Sequence, residues 1–472
     1  CKNRAGLPSV TPAAAGRRSG EDSIDNRFDS NTLQSGRVTQ RFVPLQPTLR
    51  AAATGPAGVF SGPVRELPIF FVALLSKNPQ TMKTMLKEDA GLPRRLLYTL
   101  AVISGVSVAN LYYNQPLLDM IRQDLGISTL AANHIALYSQ AGYALGLLFL
   151  TPLADLVSRR RILLAVFALL ILSLAATAAA SDIRAIHGFS LVIGICSVVP
   201  QFFIPLAAQY SRPEEKNRNV GIVLSGLLTG ILASRVVSGA VGEWLGWREM
   251  YVMATGLMTL SAIAAFRILP DTRPNFSGSY GALMRSLFTL LRQYPLLRLY
   301  SVRAAFAFGA LLCFWASLAF KMAQAPFHAG SDIVGILGLC GIAGALTATV
   351  AGKYITRVGI HRFNCIGALL QFIAWALFLF GAESYASFVF GIVAIDIGMQ
   401  CIQLSNQAPL FGLCPAASNR INTIFMSTYF AGGTLGTFLS GAAWAHFGWP
   451  GVVAAGALLS AASLSLTLLS GK

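Results

Sequence analysis

An aspartate at position 396 stands inside a long apolar run, and Gln400, Gln403 and Gln407 follow it at i+4, i+7 and i+11. On an α-helix those offsets place all four side chains on one face. A stripe of one acid and three amides cannot favourably face lipid. The amides can hydrogen-bond a polar solute, and an acid in a low dielectric can take up and release a proton. Asp396 is therefore the candidate proton-coupling residue, and the three glutamines are candidates for lining a pathway. The alternative is that the amides join helix to helix with Asp396 as a fixed partner. Arg235 is the second costly group, about 15 residues into another apolar run. A centred arginine costs about 2.5 to 3.5 kcal/mol to insert, so it should face a wet cavity or an acid. Snorkelling toward the far surface is the alternative, since about 23 Å of a roughly 30 Å core lies below it. Gln201 lies between Pro200 and Pro205, which should break or bend their helix and free backbone carbonyls at a substrate site. Asn110, Tyr113 and Asn114 form an i, i+3, i+4 polar patch. Phe306, Phe308 and Trp315 offer either aromatic walls or packing.

The elements that carry these residues are membrane helices. Of the 472 residues 54% are hydrophobic and 12% charged, and the mean hydropathy is +0.61, too apolar for one soluble core. Apolar runs fall near 96 to 118, 131 to 152, 162 to 180, 186 to 209, 220 to 242 and 247 to 268. Six more lie near 299 to 320, 332 to 352, 363 to 381, 385 to 406, 420 to 441 and 446 to 468. Each holds about 20 residues, the length that crosses a bilayer. The expected fold is all-α, with twelve transmembrane helices in two six-helix bundles, 94–269 and 299–472, joined by a linker at 270–298.

An internal duplication supports the division into halves. Residues 217–247 and 419–449 align over 31 positions with ten identities, among them the Asn217-Arg218 and Asn419-Arg420 pairs and the Gly246-Trp247 and Gly448-Trp449 pairs. What is repeated is a set of helices, as in carriers that alternate access about a midplane site.

The net charge of +17 is topological and gives no reason to expect nucleic acid. Arg159 to Arg161, then Arg212, Lys216 and Arg218, then Arg273, Arg285, Arg292 and Arg298, then Lys353, Arg357 and Arg362 fill every second loop. The opposite loops carry Arg122, Arg184, Arg248 and Lys321. The positive-inside bias makes the rich side cytoplasmic, with both termini there. Residues 1–93 read as a disordered leader, rich in Arg, Ser, Pro, Gly and Asp, and as a fragment or an over-extended start. Within the linker, Tyr280 to Leu291 can form an amphipathic surface helix. Seven cysteines without CxxC spacing suggest neither a disulfide framework nor a metal site. No GxxxxGK[ST] loop points to ATP, and no His/Glu cluster points to a membrane enzyme.

Thr151-Pro-Leu-Ala-Asp155-Leu-Val-Ser158-Arg159-Arg160-Arg161 closes the second run. It resembles the G-x-x-x-D-x-x-G-R-R/K signature of the major facilitator superfamily, with Thr151 and Ser158 in place of glycines. A weaker copy runs from Gly352 to Arg362. The resemblance implies that Asp155, Arg159 and Arg160 gate the two bundles through charge-assisted hydrogen bonds. Tyr113-Asn114-Gln115-Pro116 resembles the bacterial drug and metabolite exporter branch, the drug:proton antiporters. That branch's fifth-helix pattern survives as Gly226-x-x-x-Gly230, without its proline. Its fourth-helix arginine has no counterpart in 186–209, and Arg235, linked electrostatically to Asp396, is the candidate in its place. The resemblance implies a monomeric secondary transporter of the bacterial inner membrane. Its partners would be the lipid bilayer and a small-molecule substrate, a drug or metabolite exported against protons. It would need no bound cofactor, only the proton gradient. The rival is a facilitator or importer of a sugar or organic acid without proton antiport.

Overall fold

The structure, a computed structural model, describes residues 91–269, 278–414 and 417–470; the side chains at 155, 348–353 and 356 also lie outside that description. The expected leader therefore falls outside it, apart from 91–93, and so does the Pro270-Asp271-Thr272-Arg273-Pro274 start of the linker. All secondary structure among the described residues is helical.

The first crossing is made of α1 (Arg94–Ala109) and α2 (Asn114–Leu125), with turns at 110–113 between them. The second, α3 (Thr129–Leu145), runs on through a π turn, Gly146–Leu150, and a 3₁₀ turn, Pro152–Asp155. Then come α4 (Arg159–Ala179), the pair α5 (Ile183–Cys196) and α6 (Pro200–Tyr210), α7 (Lys216–Leu245) and α8 (Trp247–Ile268). After the linker helix α9 (Tyr280–Gln293) the second half contains α10 (Pro295–Met322), then α11 (Ser331–Leu337), a 3₁₀ turn Gly338–Gly341 and α12 (Ile342–Val358). It ends with α13 (Ile360–Phe380), α14 (Tyr385–Gln407) with a 3₁₀ turn Ala408–Gly412, and α15 (Ser418–Leu469).

Joined across their short breaks, these helices make ten segments among the described residues that are long and apolar enough to cross a membrane. The difference from twelve has two causes. The 52-residue α15 would measure about 78 Å if straight, more than twice a bilayer core. It folds back at Gly448, whose φ of 60° and ψ of −148° suit glycine alone, and so supplies two crossings. The other case is Ser331–Thr347, an apolar helix that among the described residues is shorter than a full span.

The expected break around Gln201 lies at 197–199. Pro200, which has no N–H to give, occupies the first position of α6, while Pro205 sits inside that helix without interrupting it. Ser128, Ser158 and Ser279 each accept a backbone N–H three residues on, fixing the starts of α3, α4 and α9. In α9, Leu283, Leu287 and Leu290 are buried at i, i+4 and i+7, and Tyr280 donates its hydroxyl to the Phe149 carbonyl at 3.0 Å. The amphipathic linker helix is thereby pinned to the end of the second crossing.

In lipid, helices associate through close packing of small residues, because hydrocarbon offers no hydrophobic driving force. The two halves use that device in the same way. In the first, a Cβ on Gly226 would stand 2.2 Å from the Ala101 carbonyl oxygen, and one on Gly230 2.2 Å from that of Gly105. In the second, Gly432 would meet Ala305 O at 2.1 Å and Gly436 would meet Gly309 O at 1.9 Å. Gly230 and Gly432 are the partners aligned by the duplication, so the repeat preserves a helix crossing. We expect Gly436→Val to destabilise the purified protein by at least the 1 to 3 kcal/mol typical of overpacking, about the same as Gly230→Val. The check is a thermal melt in detergent, and an unchanged midpoint for both would refute the crossing.

Candidate functional site

Arg235 of α7 is 6% exposed at the boundary between halves. Its guanidinium lies 4.1 Å from the Trp315 ring centroid, on α10, and 5.1 Å from that of Tyr112. Its Nε donates to Gln115 Oε1 at 2.9 Å. Cation–π contacts contribute about 0.5 to 2 kcal/mol each, rising with desolvation. Two of them plus the amide roughly offset the about 2.5 to 3.5 kcal/mol insertion cost. Arg235 is thus held at the centre and does not snorkel.

Asp396 of α14 belongs to the other half. It does not form an ion pair with Arg235, although the two interact electrostatically. A face of glycines stands between them. Gly335, Gly338, Gly341 and Gly344 recur every third residue, and the 3₁₀ turn at Gly338–Gly341, with three residues per turn, aligns such a spacing. A Cβ on Gly335 would lie 2.6 Å from the Arg235 carbonyl oxygen, and one on Gly338 2.9 Å from Arg235 Cβ. On Gly341 it would lie 3.3 Å from Asp396 Oδ2, and on Gly344 3.0 Å from Asp396 Cβ. Larger residues would push the two charged groups apart. Asp396 Oδ2 is buried with no hydrogen-bond partner.

Around this pair lies an aromatic cluster. Tyr143 of α3 meets Phe430 of α15 at 4.4 Å across the halves, and Phe308 stacks on Tyr429 at 3.9 Å. Gln201 donates to the Tyr143 hydroxyl at 3.5 Å, and Tyr429 donates its hydroxyl to Gln403 Oε1 at 3.2 Å. Gln201, Gln403, Arg235 and Asp396 are accordingly gathered with Tyr112, Gln115, Tyr143, Trp315, Phe308, Tyr429 and Phe430.

Other expected residues are placed elsewhere. Gln407 donates to Asn422 Oδ1 at 2.9 Å, joining α14 to α15 within one half. Gln400 is half-buried on α14. Asn110 turns back to the carbonyls of Val106 and Ser107, and Asn114 reaches Ser139 Oγ at 3.1 Å. Tyr113 is buried in the turns between α1 and α2. Because the first crossing is broken there, Tyr112 and Gln115 face Arg235, a rotation the i, i+3, i+4 reading did not anticipate. At the arginine-rich end, Arg159 is buried, and Arg160 donates to the Phe266 carbonyl at 3.2 Å and stacks on that ring. Arg160 thus braces α8 inside its own half. Asp155 closes its 3₁₀ turn, and its side chain lies outside the described residues.

Among the described residues, ties between halves include several at the arginine-poor end. Asn133 donates to the Ala316 carbonyl at 3.3 Å. Ser331 gives its backbone N–H to Glu243 Oε2 at 3.0 Å and its hydroxyl to the Gly239 carbonyl at 2.8 Å. This carboxylate caps the start of α11 from the opposite half. Sequence reasoning also missed Arg303, 2% exposed on α10, which donates to Asn406 Oδ1 at 3.2 Å, to Ser470 Oγ and to the Leu466 carbonyl. Asn406 in turn donates to Asn364 Oδ1 at 2.7 Å, so α10, α13, α14 and α15 are fastened by one cluster.

Two related sets of membrane helices, with a buried arginine from one and an aspartate from the other at the boundary between them, define a carrier architecture. The profile of the Major Facilitator Superfamily matches residues 100–408, and the chain belongs to that family. It is 34% identical over 380 residues to the "Uncharacterized transporter YgaY" of Escherichia coli O157:H7, covering 80% of this chain and 96% of the relative. It is likewise 34% identical over 376 residues to the "Probable transporter SCO4007" of Streptomyces coelicolor, covering 79% and 87%. Among solved structures, the nucleoside transporter NupG superposes with a TM-score of 0.63 at 15% identity, covering 79% of this chain and 98% of that one. A bacterial homologue of the human lysosomal transporter Spinster, solved inward-facing and unoccupied, gives 0.59 at 14% identity, covering 79% and 94%. The chain is a multi-pass membrane protein of a transporter family.

Removing Asn406 should leave a buried Arg303 N–H without an acceptor. Asn406→Leu is expected to cost about 1 to 3 kcal/mol, seen as a lowered thermal midpoint. A midpoint equal to that of the parent would show the cluster to be dispensable. Glu243→Ala should loosen the arginine-poor end, so that a thiol placed at Ser331 reacts faster with a membrane-impermeant maleimide. Equal rates would show that the cap does not hold the halves together.

Proposed function

We propose that this protein carries out proton-coupled efflux of a small amphipathic or polar molecule by alternating access, its two halves rocking about the Arg235–Asp396 centre. In this reading it works as a monomer in the bacterial inner membrane, with the arginine-rich loops and both termini cytoplasmic, and needs no bound cofactor. One observation carries the reading. Two ionisable groups, one from each half, approach each other across a glycine face at the boundary, so any rocking of the halves changes their separation. Electrostatic coupling over such distances in a low dielectric is strong enough to link motion to protonation. An organic acid as cargo, part of the rival expectation, draws support from Arg235; a sugar draws none.

The test is flux in proteoliposomes without ATP under an imposed pH gradient. Asp396→Asn is expected to abolish the dependence on the gradient while the amount of protein in the membrane stays the same. Normal pH-dependent flux in that variant would remove Asp396 from the mechanism. Arg235→Ala should lose transport by about tenfold or more, as for loss of a hydrogen-bonded charge, with insertion retained or improved. A fully active variant would refute a role for the guanidinium.

A further inference from the structure

We propose that the centre binds an organic anion, a carboxylate, sulfonate or phosphate ester on a planar apolar body, and that the anion moves together with a proton on Asp396. This rests on the reading of the centre as the transport site, and it adds the class of cargo and the sign of coupling.

The argument starts from a surplus of donors. Arg235 has five N–H groups, of which Nε–H is used on Gln115, and among the described residues no carboxylate lies within ion-pair distance of it. Beside it, Trp315 is 1% exposed and its indole Nε1–H has no acceptor. The indole ring is the one the guanidinium covers at 4.1 Å. Two donor groups held side by side in a dry place ask for a single acceptor with several lone pairs. An oxyanion supplies that, and a guanidinium can grip it through two parallel hydrogen bonds. A cationic cargo would be repelled by the same group. The Tyr143–Phe430 and Phe308–Tyr429 pairs nearby offer rings for a flat apolar body.

The sign of coupling follows from counting charges. Arg235 is one cation and would serve two anions, the cargo and the Asp396 carboxylate. An anion on the guanidinium removes the attraction that favours ionised Asp396, so binding the anion favours binding a proton. By linkage the converse holds equally, and a protonated Asp396 leaves Arg235 free for the anion. The titratable groups that bear on Asp396 are Arg235 on α7, Cys340 in the 3₁₀ turn and Tyr429 on α15, while Tyr112 faces both Arg235 and Tyr429. Of these, Arg235 is permanently charged, so it alone sets the competition. Export then follows the anion's own gradient, and the antiport implied by the exporter resemblance gives way to co-movement of anion and proton.

The test uses probes whose charge does not titrate, on the full-length purified protein. Benzenesulfonate, benzamide and benzyltrimethylammonium are compared by thermal stabilisation at about pH 5.5 and about pH 8, where changes report the protein's own groups. Benzenesulfonate is expected to stabilise, with an apparent Kd about tenfold tighter at the lower pH, the size of one protonation unit. Arg235→Gln should lose that stabilisation at both pH values while its melt without probe stays near the parent's, and Arg235→Lys should recover part of it. Asp396→Asn should bind benzenesulfonate at both pH values and lose the pH dependence. Benzoate and phenylphosphate then separate a carboxylate from a phosphate ester as the preferred head. Equal or stronger stabilisation by benzyltrimethylammonium, or benzenesulfonate binding indifferent to Arg235→Gln, would overturn the anion inference. If such a cation were also carried in proteoliposomes, the carrier reading would survive that failure. Flux of none of these probes, together with no stabilisation, would sink both.

Discussion

A permanent positive charge is kept in the middle of this molecule without a carboxylate touching it, and much of the surrounding architecture follows from that cost. Two aromatic rings and one amide surround Arg235, drawn from the first crossing in its own half and the seventh crossing in the other. The opposing helix must give up side chains to come close, which explains glycines at 335 and 338 where α7 passes. The same face then turns its next two glycines to Asp396. A 3₁₀ turn is normally a weak way to continue a helix, yet here it aligns residues at a spacing of three so that one thin edge serves both neighbours. Backbone geometry, helix crossing and electrostatics are thus consequences of one buried guanidinium.

Polar groups elsewhere in the bundle serve a different end. Arg303, Asn406 and Asn364 fill one another's hydrogen bonds inside the second half, and Gln371 does the same with Ser460 and the Ala307 carbonyl. Networks of this kind stiffen a body, because every broken bond leaves a buried group exposed to hydrocarbon. At the boundary Asp396 Oδ2 and Trp315 Nε1 lack partners, as Arg303 Nε does inside the second half.

The fold was legible in the sequence because its causes are local or repeated. Apolar runs of bilayer length give the crossings, and the 202-residue offset between Asn217-Arg218 and Asn419-Arg420 gives the halves. The positions of Asp396 and Arg235 in opposite halves were readable for the same reason, since a charge in an apolar run stands out. What could not be read was direction. Breaks at 110–113 turn Tyr112 and Gln115 inward in place of the expected patch. Gln407 lay on the right helix face, but an asparagine on the next helix claims it. Arg303 carried no signal in the sequence that set it apart, and only the packing of four helices shows it sealed inside. Glycine at every third position from 335 to 344 is present in the sequence, but only the 3₁₀ turn at Gly338–Gly341 brings those positions to one edge.

The reversal at Gly448 has a mechanical result. The last two crossings meet at a single residue with no loop between them. A tether of several residues would let one rod tilt while its neighbour stayed still, whereas a one-residue corner transmits torque from each to the other. Phe430 and Tyr429 ride on the first of these rods, and Ser463 and Ser470, which hold Arg303 and its carbonyl, ride on the second. Any displacement of the aromatic pair by a bound molecule would therefore pass through the elbow at Gly448 to the neighbouring rod and so to the serines that hold Arg303.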